Sequence, residues 1–193
     1  VTPLFGDAGT ATALSYDENA EEPLRFSLCS DGSGWEAIVI REGGFRIPFN
    51  KGSLLVKDFG DGHFRNGIQV EMDGMSVFSF AISKVPKTLK NLMAESDYSD
   101  EKIDIVALHQ ANRMINDIII KKIKISPDKM PESLSEYGNT SSASIPLTLV
   151  AKCADKLRNQ RVNTLASGFG VGLSWGGMLL TTDRITIPSI IEL

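Results

Sequence analysis

The run over residues 103–108 is apolar except at Asp104. A strand with one face in water alternates apolar and polar residues, so an unbroken run of this kind needs cover on both faces. Helical patterns nearby can supply it. Over residues 112–124, Met114, Ile115, Ile118, Ile119 and Ile123 share one side, and over 142–157 so do Ile145, Leu149, Cys153 and Leu157. Pro146 falls near the start of the latter, where its missing N–H is tolerated. A third helical pattern runs over residues 75–93 through Val77, Ala81, Val85, Leu89 and Leu92, with a kink or break expected at Pro86.

Residues 10–16 read as a strand, and so do residues 35–41 after the turn Asp31-Gly32-Ser33-Gly34. Ser126-Pro127-Asp128 stops the second helix, residues 134–136 suggest a short strand, and 162–166 and 173–182 supply two closing strands. Residues 42–67 show no period and form an irregular excursion. Strands alternating with helices indicate an α/β domain with a mixed sheet and layered helices. At 193 residues, a single domain over 1–193 is expected.

A formal charge of -4 argues against general affinity for nucleic acid. No apolar run reaches the roughly 20 residues that span a bilayer, and no charged apolar leader opens the chain, so a cytoplasmic setting without membrane contact is expected. Cys29 and Cys153 make neither a disulfide framework nor a metal cluster. The chain opens at Val1, not Met, and reads as starting in the middle of something longer.

Three segments carry the chemistry. His109, in Leu108-His109-Gln110-Ala111-Asn112, stands where a buried strand gives way to a helix, the place where α/β folds put ligands. It reads either as a donor to a substrate or as a histidine that only satisfies backbone groups. Asn139, in Tyr137-Gly138-Asn139-Thr140-Ser141-Ser142-Ala143-Ser144, reads either as a turn or cap residue or as a second donor. Two donors aimed at one oxygen are what enolate-forming acyl chemistry requires, because negative charge develops there. Residues 167–177 are dense in glycine, which fits a tight hairpin and also lets backbone N–H groups approach a substrate. They precede a strand, so they do not form a dinucleotide loop. His63 reads as a loop residue. Cys153 sits on an apolar helical face as a small core residue, and Cys29 has no activating neighbour in sequence. Arg113, Lys121, Lys122 and Lys124 make the second helix basic, as a solvated face or as a dock for an acidic partner.

With Phe5-Gly6-Asp7-Ala8-Gly9, Met72-Asp73-Gly74, the His109 and Asn139 segments and the final glycine segment in this order, the chain resembles the C-terminal half of β-ketoacyl-acyl-carrier-protein synthase III. The resemblance implies a thiolase-like fold and a transferase that initiates fatty-acid synthesis. It implies that His109 and Asn139 are two members of a Cys-His-Asn triad whose cysteine lies in an N-terminal half absent from these residues. That cysteine takes an acyl group from acyl-coenzyme A, a substrate and not a resident cofactor. His and Asn then stabilise the enolate left when malonyl-carrier protein loses carbon dioxide. Backbone N–H groups at Gly170 and Val171 match the family's second oxyanion site, with Val171 in place of a glycine. Lys121 and Lys122 match the helix that docks acyl carrier protein, and Arg113 stands one position from the family's arginine there.

The resemblance further implies a homodimer when complete, and no metal. The 193 residues alone are expected to be inactive and to leave the face Val77-Ala81-Val85 uncovered. Two other readings stand beside this one: a thiolase-fold acyltransferase with another acceptor, and a non-catalytic subunit of a heteromer.

Overall fold

Strand and helix form together here because each can bury its apolar side only against the other. The computed structural model describes residues 4–20, 22–58, 62 and 64–192. In chain order the elements are β1 (Arg25–Ser30), β2 (Ile38–Val39), β3 (Lys57–Asp58), β4 (Phe64–Arg65), β5 (Glu71–Met72), α1 (Gly74–Glu95), β6 (Ile105–Leu108), α2 (Arg113–Ile123), α3 (Leu134–Tyr137), α4 (Ser144–Asn159), β7 (Arg161–Gly170) and β8 (Ser174–Asp183). Two units separate by contact. One holds the residues up to Cys29, Phe80–Phe169 and those from Trp175 onward; the other holds Ser30–Ser79 and Gly170–Ser174.

The first unit contains a four-stranded sheet of order β1-β8-β7-β6. β6 and β7 run parallel, with Ala107 opposite Ala166, and every residue of β6 is buried. On one face, Ile105, Ala107, Val162 and Ala166 pack with Cys153 and Leu157 of α4. On the other, Gly177 of β8 lies directly beneath Leu89 and Leu92 of α1. Trp175 meets Phe80 edge-on at 5.4 Å and donates its indole N–H to Thr88 at 2.8 Å. α4 thus covers one face of the sheet at β6 and β7, and α1 covers the other face at β8. In the second unit, β2 pairs antiparallel with β5 and β3 with β4, and Arg41 Nε lies 2.9 and 3.0 Å from the two carboxylate oxygens of Glu71.

Several expectations are corrected. Residues 10–16 form no strand: Leu14 and Tyr16 are exposed and no strand among the described residues pairs with them, without which a strand has no ladder. The strand over 35–41 shrinks to β2. Asp31 accepts from the Ser33 N–H and starts a short 3₁₀ helix, Gly32–Ala37, in its place. Residues 134–136 are helical, within α3; three residues, of which only Leu134 is apolar, carry no period that separates strand from helix. The excursion over 42–67 does hold a 3₁₀ turn, Lys51–Leu54, besides β3 and β4. β1 was missed, although Phe26 and Leu28 alternate with polar neighbours as a strand should. The reading of His63 lies outside the described residues.

The face Val77-Ala81-Val85 is not left bare. Ala81 and Val85 are completely buried within the chain. The apolar residues left exposed lie elsewhere, among them Leu24, Phe26 and Leu28 along one side of β1.

α1 is also unbroken at Pro86. Proline has no N–H for the carbonyl four residues earlier, that of Ile82. Lys122 Nζ of α2 donates to that carbonyl at 2.8 Å and takes over the missing bond. Lys122→Met is therefore expected to destabilise the chain by about 1 kcal/mol. The loss should shrink in a Pro86→Ala background, where an N–H is restored. Denaturant midpoints of the four proteins check this, and equal losses in both backgrounds would disprove the link.

Candidate active site

His109 follows β6 immediately. Its main-chain N–H extends the parallel pairing to the Ser167 carbonyl at 2.9 Å, and its own carbonyl accepts from Asn116 Nδ2 at 3.2 Å. Asn112 then caps α2, its side chain accepting from Met114 N at 2.8 Å. The backbone of His109 is thus held from both sides. The ring is held by Ser144, whose Oγ is 2.7 Å from Nδ1, and by Phe169, whose ring meets it edge-on at 5.5 Å. No protein group among the described residues bonds to Nε2.

Asn139 is placed by a different route. Gly138 turns the chain with φ +67, and a Cβ there would sit 3.0 Å from the Leu4 carbonyl oxygen. Leu4, Phe5 and Gly6 run alongside: Asn139 N donates to Leu4 O at 2.8 Å, and Gly6 N donates to Asn139 O at 3.1 Å. A Cβ on Gly6 would overlap the Tyr137 carbonyl, which explains the glycine in Phe5-Gly6-Asp7.

The side chain is oriented too. Asn139 Oδ1 accepts from the Ser141 N–H at 2.9 Å, and an N–H can be accepted only by the oxygen of the amide. The Nδ2 group therefore points elsewhere, and no acceptor among the described residues meets it. Asn139 is buried, with 7% of its surface exposed, so this amide is fixed in place.

Ser141 joins the two residues. Its N–H is taken by Asn139, and its carbonyl adjoins the His109 ring, favouring the protonated form there. Ser141 has φ +53, a left-handed conformation that a non-glycine residue adopts only when its surroundings demand it.

Burial outweighs the Ser141 carbonyl and holds His109 below its ordinary value of about 6.5. The unfolded chain therefore takes up a proton at higher pH than the folded one. The stability this contributes is complete above about pH 6.5 and is lost as pH falls towards the folded value. On going from about pH 7.5 to about pH 5.5, the wild type should lose more stability than His109→Gln. Equal losses in denaturant unfolding would mean that folding does not suppress the charge.

The other candidates are placed as follows. Gly170 and Val171 lie in the second unit, where the Val171 side chain is exposed. Arg113 and Lys121 are exposed on α2; Arg113 Nε stands 4.0 Å from Asp117, and Lys122 is engaged with Ile82. Cys153 is buried among apolar side chains, which pushes its thiol up and away from the reactive thiolate. Among the described residues, no group of three or more His, Cys, Asp or Glu is placed to hold a metal ion, and no helix is long and apolar enough to cross a membrane. Sequence reading missed Ser144 and Phe169 as neighbours of the imidazole. A serine at a helix start reads as a cap, and nothing local couples it to a histidine 35 positions away.

Residues 93–182 match the family described as 3-oxoacyl-[acyl-carrier-protein (ACP)] synthase III C terminal. The chain is 34% identical to the β-ketoacyl-[acyl-carrier-protein] synthase III of Microcystis aeruginosa over 180 residues, covering 91% of this chain and 51% of that protein. The chain is similar to the C-terminal half of β-ketoacyl-acyl-carrier-protein synthase III. Its Streptococcus pyogenes counterpart matches at 34% over 92% of this chain and 52% of that protein. A solved 3-oxoacyl-(acyl-carrier-protein) synthase III superposes with a TM-score of 0.77 at 32% identity over 86% of this chain and 49% of that one. A 3-oxoacyl-(acyl-carrier protein) synthase from Burkholderia xenovorans gives 0.78 at 29%, over 88% and 47% respectively. The fold is accordingly thiolase-like. The chain spans about half the length of these relatives.

Proposed function

We propose that these residues form the part of a decarboxylating Claisen condensing enzyme that generates the enolate. The carrying observation is the pair of nitrogens without a protein partner, His109 Nε2 and Asn139 Nδ2, on side chains anchored around one turn. A malonyl thioester loses carbon dioxide, and the electron pair of the broken C–C bond moves onto the thioester as an enolate. A neutral imidazole N–H and an amide N–H stabilise that oxygen without adding a formal charge, in a site where burial strengthens both bonds. The enolate carbon then attacks an acyl-cysteine thioester and releases the cysteine thiolate. Neither Cys153, buried and held as a thiol, nor Cys29 suits that nucleophile. It is supplied by a cysteine outside these residues, loaded from acyl-coenzyme A with release of the coenzyme thiol. By their match to the family, the main-chain N–H groups of Gly170 and Val171 serve the acyl-cysteine carbonyl. Lys121, Lys122 and Arg113 bind acyl carrier protein, and the complete protein pairs with a second copy.

Assays of acyl transfer and condensation with the 193 residues alone, and with a cysteine-bearing half added, test this. Condensation is expected only in the second case. Robust condensation by the 193 residues alone would refute the division of roles.

A further inference from the structure

Behind His109 lies a chain of buried hydroxyl and amide groups whose protons can be traced one at a time. Thr148 Oγ1 is 2.7 Å from the Ser144 carbonyl, which only accepts, so the single Thr148 proton is used there. Ser133 Oγ, 2.7 Å from Thr148 Oγ1, is then the donor in that pair. The Ser133 N–H donates to Gln110 Oε1 at 3.2 Å, which leaves Gln110 Nε2 to donate to the Leu108 carbonyl at 2.8 Å. These bonds seat Gln110 so that its main-chain N–H meets Ser144 Oγ at 3.3 Å.

Ser144 is 1% exposed, and among the described residues the one group left for its hydroxyl proton is His109 Nδ1, at 2.7 Å. Were Nδ1 protonated, Ser144 Oγ would receive two donors and its own proton would be buried with no acceptor. Native interiors avoid that arrangement.

We propose that Ser144 is a positioning residue that sets the tautomer of His109: its hydroxyl donates to Nδ1, and the ring proton resides on Nε2. The usefulness of this tautomer rests on the condensing reading, since an Nε2–H stabilises an enolate oxygen and an Nε2 lone pair repels it. The tautomer itself rests on the hydrogen bonds alone. Groups behind an imidazole commonly fix its proton in this manner.

The test is ¹⁵N NMR of the full chain with labelled histidine, above the pH at which the ring titrates. His63 and His109 are the two histidines of the chain, and His63→Gln assigns the signals. In the wild type, Nδ1 should resonate as the bare nitrogen and Nε2 as the protonated one; a proton on Nδ1 overturns the proposal without variants.

In Ser144→Ala, Nδ1 loses the hydroxyl donor that holds it as the bare nitrogen, so a population protonated at Nδ1 should appear. Thr148→Val disturbs the same buried network but leaves the Ser144 hydroxyl, and should retain the wild-type tautomer. An unchanged ring in Ser144→Ala, or an equal change in Thr148→Val, would remove Ser144 from the role. Failure of the condensation assay would sink the enzymatic reading and leave this tautomer assignment standing.

Discussion

His109→Ala should lower malonyl-thioester decarboxylation by about 10²–10³-fold, or about 3–4 kcal/mol of barrier, when the chain is assayed with a cysteine-bearing half. The imidazole is proposed to act where charge develops and not in the ground state, so the loss should fall on kcat more than on KM. Asn139→Ala should cost a similar factor, because Oδ1 is already committed to Ser141 and Nδ2 is the group free to donate. Asn139→Asp keeps the volume and presents an acceptor to a negative oxygen, so it should be at least as poor. The double variant His109→Ala with Asn139→Ala should lose less than the product of the two factors, since both groups serve one oxygen. Acyl transfer from the coenzyme to the cysteine should survive in all of them. Wild-type decarboxylation by His109→Ala would end the proposal.

The second large effect is on stability. Leu89 of α1 is completely buried over Gly177 of β8, where a Cβ on the glycine would come within 2.8 Å of its methyl group. Leu89→Ala removes that contact and leaves a cavity between helix and sheet, at an expected cost of about 2–5 kcal/mol. Domains of this kind are stable by roughly 5–15 kcal/mol, so the variant should unfold at much lower denaturant. Gly177→Ala alone should also destabilise, by crowding Leu89. Combined with Leu89→Ala it should cost less than it does alone, because the space has opened. Additive losses in urea unfolding would show that the two residues do not meet as described.

Both effects depend on features with different visibility in the chain. Leu89 belongs to a helical period that can be read directly, and so do Ile115 and Ile119 of α2 and Cys153 and Leu157 of α4. The apolar run that became β6 announced a strand covered on both faces. His109 and Asn139 stood out through residue type and through the order of the motifs around them. Residues 10–16 had a strand's composition and no partner strand. Residues 134–136 were too short for any period. The continuity of α1 through Pro86 could not be foreseen, because the bond that repairs it comes from Lys122 on another helix.

Periodicity and residue type, which act within a few positions along the backbone, were enough to determine the α/β layering, the buried strand and the three long helices, while the family likeness came from the order of the motifs. The tertiary structure alone decided which atoms of the site are free. The side-chain orientation of Asn139 follows from its bond to Ser141, and Ser144 reaches the imidazole from 35 positions away. Hydrogen bonds are short and directional, so their pattern exists only after distant segments have packed.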